Sequence, residues 1–380
     1  MINKEKEKIQ EEAVNLLAKA DYRGIVILPT GTGKTLVLIN CLQALYKPGM
    51  RVLYTCDSQK LRDEGFKAEL DKWGAGHLDD KIEKCCYAGA YKKENEEYDI
   101  LLADEGDYGL TPEYSKLFTN NKFKYIIFVS ATLEAKKRKL AKSIAPIVYE
   151  KKIKEIEDKK VVNKANFFLV PYLLNQLENR QYVEYNEKFS KMLSAKRAAR
   201  NAVESQKLDK ALEFLTLSRI HFLAKLDSSA YICKKLLDYL DAEHPESRVI
   251  IFCGLTEQAD RVCTHSYHTG NEKEDHLGMF ERGEINKIAV CGKINRGINV
   301  KGVNKMILEN YNRSETLLVQ RTGRGRRLEV DDTLDIYIPI PYFKKYRRGE
   351  LVTVPTIMQD WLMQAGKNLG IENAKTIYLK

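Results

Sequence analysis

The chain has 380 residues, too many for one hydrophobic core and suited to two domains of ordinary size. With 44% apolar and 31% charged residues, it reads as a soluble globular protein rather than a disordered or membrane-embedded one. The formal charge of +10, from 63 Lys+Arg against 53 Asp+Glu, fits a polyanionic partner such as nucleic acid without requiring one.

The eight cysteines include no C-x-x-C pair. That argues against a zinc site and for small buried hydrophobes in a reducing compartment. The N-terminal Met1-Ile-Asn-Lys-Glu-Lys-Glu-Lys8 has no signal-peptide core, and no apolar run approaches membrane length. The expectation is a cytoplasmic protein, from a prokaryotic or viral-host cell.

In chain order, Ile9, Ala13, Leu16, Leu17 and Ala20 predict a helix over 8–20. Gln10 on that helix reads two ways, as an amide for an adenine edge or as a solvated helix residue. Ile25-Val-Ile-Leu28 predicts a strand, and the apolar-periodic run 36–45 predicts a helix. Between them lies Thr30-Gly-Thr-Gly-Lys-Thr35. Strand, glycine-rich turn and helix in this order make a phosphate-binding loop. Gly31 and Gly33 let backbone N–H groups converge on a phosphate, with Thr30 and Thr32 in the turn. Lys34 reaches the β- and γ-phosphates, and the Thr35 hydroxyl ligates Mg²⁺. The plainer alternative is a turn that binds nothing.

Further strands are predicted at 51–56 and 98–103, with a weaker one at 82–87 and a helix between, through Leu61, Phe66, Leu70 and Trp73. Alternating strands and helices imply a parallel, doubly wound sheet. Asp104-Glu-Gly-Asp107 follows the 98–103 strand directly. Carboxylates at the end of a buried strand are costly unless they serve a site. Asp104 is the candidate Mg²⁺ ligand, Glu105 the general base and Asp107 a bridge to the neighbouring strand. The alternative is an acidic helix cap. A strand at 123–129 ends in Ser130-Ala-Thr132. Ser130 and Thr132 can hydrogen-bond a carboxylate such as Asp107, or simply make a turn.

Residues 151–165 are charge-rich and read as a linker between lobe 1 (1–150) and lobe 2 (166–340). A short strand at 166–170 precedes a helical stretch, 172–240. That stretch carries a basic patch, Lys196-Arg-Ala-Ala-Arg200, which is either a backbone contact or a wet helix face. Strands resume at 248–253, 285–291, 304–308 and 334–339. Gln320-Arg-Thr-Gly-Arg-Gly-Arg-Arg327 presents guanidiniums that suit a γ-phosphate, or a basic helix start. The extension 341–380 carries Lys344, Lys345, Arg347 and Arg348 and an amphipathic helix around Trp361.

Together these segments resemble a superfamily 2 helicase or translocase. Residues 30–35 look like motif I, 104–107 like motif II and 130–132 like motif III. Ile250-Ile-Phe-Cys253 resembles motif IV, Asn295-Arg-Gly-Ile-Asn299 motif V, and 320–327 motif VI. The resemblance implies two RecA-like lobes, each a mostly parallel sheet flanked by helices, with ATP and Mg²⁺ as cofactors. It gives Arg324 and Arg327 the finger positions, Gln320 the start of motif VI, Gly297 a nucleotide contact in motif V and Gln10 the adenine-reading position. Gln320, in place of the His typical of DEAD-box RNA helicases, and the segments 57–73 and 172–240 look more like the XPB, UvsW and Swi/Snf-type DNA translocases. Motif II ends Gly-Asp rather than Ala-Asp or Ala-His, and Asn299 stands where Asp is usual. The implied function is an ATP-dependent nucleic-acid motor, favouring branched, forked or duplex DNA and working as a monomer. The alternatives are an RNA helicase, or an ATP-gated clamp or motor subunit of a nuclease or recombination complex.

Overall fold

The computed structural model describes residues 3–379, apart from 60, 200, 272, 293–301, 312–313 and 326–331; at 315, 316, 324 and 325 only the backbone is described. The chain divides into two compact units. The first is Met1–Ala165 with Asn295–Gly302 and Ser314–Leu334; the second is Asn166–Ile294, Val303–Arg313 and Asp335–Lys380.

The first unit is built on β1 (Arg23–Ile27), β2 (Val52–Cys56), β3 (Ile82–Cys86), β4 (Glu97–Ala103), β5 (Lys122–Ser130) and β6 (Ile147–Glu150). They form one sheet in the order β3-β2-β4-β5-β1-β6, and every described pairing is parallel. β2 is buried along its whole length, as a parallel strand covered on both faces must be. Ile25, Leu53, Leu101, Ile126 and Phe128 contribute to one core of this sheet.

The helix Lys4–Lys19 starts at Asn3, whose side chain accepts from the Lys6 N–H, and buries Ile9, Gln10, Ala13 and Leu17. It begins earlier than the apolar spacing predicts because the polar first turn still has a cap. The predicted helix around Leu61 is two pieces, a π-helical turn Leu61–Gly65 and an α-helix Phe66–Lys72. The charge-rich stretch after residue 150 contains a short helix, Ile153–Asp158, that buries Ile153 and Ile156. Two apolar residues three apart suffice to dock a helix whose other positions stay wet.

The second unit holds β7 (Lys164–Leu173), β8 (Val249–Cys253), β9 (Ser266–Tyr267), β10 (Lys287–Cys291), β11 (Lys305–Leu308), β12 (Thr333–Arg347), β13 (Glu350–Pro355) and β14 (Lys375–Thr376). The order is β14-β7-β12-β11-β8-β10-β9, with β13 antiparallel on β12. β8, β10, β11 and β12 are joined in parallel. The fold is therefore α/β, with two largely parallel sheets flanked by helices.

The stretch read as helical resolves into three helices, Gln176–Arg197, Ala202–Ala224 and Asp227–Glu243. Glu178 ties two helix starts together. One carboxylate oxygen accepts from the Asn175 N–H at 3.0 Å in a capping box, and the other from the Ser228 N–H at 3.1 Å. In the basic patch, Lys196 is half-buried and ion-paired with Asp209 of the next helix, so this lysine braces the helical hairpin. The sequence-predicted strand 334–339 is only the start of β12, which runs on to Arg347 and turns back as β13. The run of charges at 344–348 hides that strand from a hydrophobic pattern.

Candidate nucleotide site

β1, β5 and β4 lie side by side, and the candidate motifs leave their C-terminal ends. In open α/β sheets ligands bind in the crevice outside those ends. After β1 the chain turns through Gly31 and Gly33, both left-handed at φ 87° and 86°, and enters the helix Lys34–Leu45. A side chain at Gly33 would suffer twice. Its backbone conformation is one that L-residues avoid, and its Cβ would lie 2.2 Å from Gln10 Nε2. Gln10 is buried, and its Nε2 donates to the Thr32 carbonyl at 2.7 Å. That burial overturns its reading as a solvated helix residue. The Thr32 hydroxyl donates to the Pro29 carbonyl at 2.7 Å, so the turn is held from within and from the first helix.

Lys34 is buried to 8% exposure, with its Nζ 3.9 Å from Glu105 Oε1. Thr35 lies half-buried on the first turn of the same helix. At the end of β4, Asp104 is buried. One of its oxygens accepts from the Tyr54 hydroxyl at 3.2 Å and the other from the Glu105 N–H at 3.0 Å. The Tyr87 hydroxyl donates to the Asp104 carbonyl at 3.0 Å. Burial, and then the neighbouring Glu105 charge, push the Asp104 carboxyl up to about 7. Glu105 itself has φ 46°, a strained conformation of the kind that persists at functional sites. Its Oε2 is buried and has no hydrogen-bond partner among the described residues. Oxygen donors at Thr35 and Asp104, a carboxyl held against its charged form and an orphaned carboxylate oxygen together suit a hard divalent cation such as Mg²⁺.

Asp107 is buried beyond the turn. The Ser130 hydroxyl faces two acceptors, Asp107 Oδ1 at 2.8 Å and the Thr132 carbonyl at 2.7 Å. The end of β5 is thus tied to the acidic turn after β4. Lys137 donates to the Asp107 carbonyl at 2.6 Å. Gly106 explains the Gly-Asp ending. A Cβ there would lie 2.4 Å from Cζ of Phe128, a buried ring in the core. Gly106→Ala should therefore cost about 1–3 kcal/mol of stability by overpacking. It should also lower ATP turnover by displacing Asp107. Urea unfolding of the variant checks the first effect, and a midpoint equal to wild type would refute it.

The helix Glu315–Gly325 carries the described part of the arginine-rich motif. Gln320, Arg321 and Thr322 are buried. Within the first unit, a Cβ on Gly323 would lie 1.6 Å from Thr30 Oγ1, so only glycine fits against the candidate phosphate loop there. The Arg324 side chain and all of Arg327, Gly297 and Asn299 lie outside the described residues. Tyr54, Tyr87 and Lys137 escape sequence reasoning. Tyr54 carried a signal, since it lies on the strand that pairs directly with β4; Lys137 had none.

The family described as "Type III restriction enzyme, res subunit" matches residues 2–128, and "Helicase conserved C-terminal domain" matches residues 231–329. The chain is 26% identical over 368 residues to the DNA 3'-5' translocase XPB2 of Sulfurisphaera tokodaii, covering 89% of this chain and 82% of the relative. Among solved structures it is similar to the ATP-dependent Type ISP restriction-modification enzyme LlaBIII bound to DNA, at TM-score 0.63 and 14% identity. All of this chain, but 31% of that one, is covered, so the chain spans about a third of its length. It is also similar to S. cerevisiae Dbp5 bound to RNA and ADP BeF3, at TM-score 0.60 and 13% identity over 98% of this chain and 90% of that one. The Pyrococcus furiosus Hef helicase domain aligns at TM-score 0.52 and 15% identity over 90% and 97% of the two chains. The two sheets match the RecA-like lobes of such helicase structures. No helix among the described residues is long and apolar enough to cross a membrane. The res-subunit match over residues 2–128, the helicase C-terminal match over 231–329 and an XPB2 translocase relative aligned along most of the chain together support a superfamily 2 helicase/translocase, a class of ATP-hydrolysing enzyme.

Proposed function

We propose that this motor acts on DNA, stepping along it as ATP hydrolysis alternately binds and releases the backbone. The observation that carries the choice is the relatedness to a DNA translocase along 89% of the chain. Fold similarity does not choose, because DNA-bound and RNA-bound structures resemble the chain about equally. We read residues 1–150 as lobe 1, 151–165 as a linker and 166–340 as lobe 2, and the extension 341–380 as completing the sheet of lobe 2 with the end of β12, β13 and β14. In this reading Thr30, Gly31, Thr32, Gly33 and Lys34 cradle the phosphates, while Gly297 adds a nucleotide contact. Thr35 and Asp104 would hold Mg²⁺, which would supply charge neutralisation to the phosphates. Glu105 takes the proton of the attacking water. Gln10 reads adenine as well as bracing the loop, Arg324 and Arg327 stabilise transition-state charge, and Gln320 opens their motif. Asp107, Ser130 and Thr132 relay the state of the nucleotide to the next strand. The protein works as a monomer in the cytoplasm.

The test is an ATPase assay at equal nucleotide concentration with single-stranded DNA, duplex, forked DNA and RNA. DNA, forked best, should stimulate turnover well above RNA. A preference for RNA would overturn the DNA assignment and leave the nucleotide chemistry standing.

A further inference from the structure

The end of the β12–β13 hairpin reads Lys344-Lys-Tyr-Arg-Arg-Gly-Glu-Leu351. The register pairs Arg347 with Glu350 and Tyr346 with Leu351, leaving Arg348 and Gly349 as a two-residue turn. Both turn residues are left-handed, at φ 53° and 86°. Such a turn favours Asn-Gly or Gly-Gly. An arginine in its first position costs backbone energy that a smaller residue would avoid, which points to a use for the guanidinium.

The rest of the hairpin end is equally unsuited to packing. Tyr346 is 76% and Leu351 56% exposed, an apolar pair side by side in solvent. Lys344, Lys345, Arg347 and Arg348 are all exposed. None of the four forms an ion pair among the described residues. The platform is nonetheless fixed. The Asn179 side chain donates to the Lys344 carbonyl at 2.9 Å and accepts from its N–H at 2.6 Å. Tyr182 packs edge-to-face on Phe343 with centroids 4.7 Å apart, and its hydroxyl accepts from the Ile357 N–H at 2.8 Å. Between this hairpin and the helix Gln176–Arg197 runs an open groove of about 1140 Å³. Arg180 and Lys191 line its helical wall, along with Glu184 and Glu187, and Asp360 also lines the groove. The hairpin wall from 344 to 348 carries no acid.

We propose that the hairpin end is a binding site for single-stranded DNA. A base stacks on Tyr346 and Leu351, while Lys344, Lys345, Arg347 and Arg348 contact the flanking phosphates. Clustered cations recognise phosphate, and an exposed aromatic among them recognises an unpaired base. A blunt duplex hides its base faces in the stack and offers Tyr346 little, so the site favours single strands and forks. The proposal rests on the DNA reading above for the choice of sugar alone.

Fluorescence anisotropy with oligo-dT, oligo-U and a blunt hairpin duplex tests it on the full chain. Tyr346→Ala should weaken oligo-dT binding on the order of ten- to hundredfold and leave duplex binding near wild type, while Tyr346→Trp restores it. Arg347→Ala with Arg348→Ala should lower the salt slope by about 0.7 for each phosphate that is no longer neutralised. Thermal unfolding reports that the fold is intact, since these side chains touch no core. Oligo-dT binding unchanged in Tyr346→Ala, or an equal loss on single strand and duplex, would overturn the proposal. So would a change in oligomeric state with DNA binding kept, which would make this face a contact between copies. Oligo-U bound more tightly than oligo-dT by the wild type, with the Tyr346→Ala loss intact, would instead overturn the DNA reading and keep the site.

Discussion

Lys34→Ala should abolish ATP hydrolysis, lowering turnover to below about one thousandth of wild type, while the protein stays folded. The physical case begins with where the ammonium is held. Lys34 is buried at the first turn of its helix and 3.9 Å from Glu105 Oε1, with Asp104 next along the chain from its partner. Its charge is thus poised between two carboxylates and the loop that would cradle the phosphates. Removing a preorganised charge aimed at transition-state oxygens typically costs two to three orders of magnitude in turnover, about 10²–10³. A lysine serving both ground-state phosphates and the transition state costs more. Stability should change little, because Lys34 lies outside the core cluster of the first sheet. The loss of its charge is partly relieved by protonation of Asp104, whose carboxyl is already raised to about 7. Steady-state ATPase and a urea unfolding curve on the same preparation check both halves. Wild-type turnover in Lys34→Ala would refute the assignment of residues 30–35 as the phosphate loop.

How much of the site is legible in the sequence alone depends on how local the chemistry is. The candidate phosphate loop is legible because strand, glycines, lysine and helix are contiguous, and both glycines take a left-handed backbone. The acidic turn is legible for the same cause, since four residues directly follow an apolar strand. Sequence spacing cannot say what a residue meets across the sheet. Gly106 looks like a departure from its motif until Phe128 of β5 is found filling the space where a Cβ would go. Gln10 reads equally as an adenine contact or a wet helix residue until Thr32 is found accepting from its buried amide. Tyr54 and Tyr87 reach Asp104 from two other segments of the chain, a juxtaposition made by strand order rather than by any pattern. In the second unit the parallel strands announce themselves as β-branched runs. The β12–β13 hairpin does not, because its outer half is written in lysine and arginine rather than in alternation. A strand that serves a ligand more than a core carries a weak hydrophobic signal.

Glu105→Gln should separate binding from chemistry. Glutamine keeps the length and shape of the side chain and removes the proton acceptor. Turnover should fall on the order of a hundredfold or more, the usual worth of a positioned general base. Nucleotide affinity should be kept or improved, for two reasons that follow from the geometry. Glu105 competes with phosphate for the Lys34 ammonium at 3.9 Å, and that competition disappears with the charge. Its charge is also the second cause, after burial, of the raised Asp104 carboxyl. Without it Asp104 moves down toward its ordinary range and is more fully ionised at neutral pH, which favours a divalent cation over a proton. The wild-type enzyme should accordingly lose Mg²⁺-dependent nucleotide binding as pH falls below about 7, and Glu105→Gln should keep it to lower pH. Titration with a fluorescent ATP analogue and Mg²⁺ across that range, alongside single-turnover hydrolysis, measures both. An affinity that collapses together with the rate would mean that Glu105 holds the metal rather than activates water, and would exchange its role with that of Asp104.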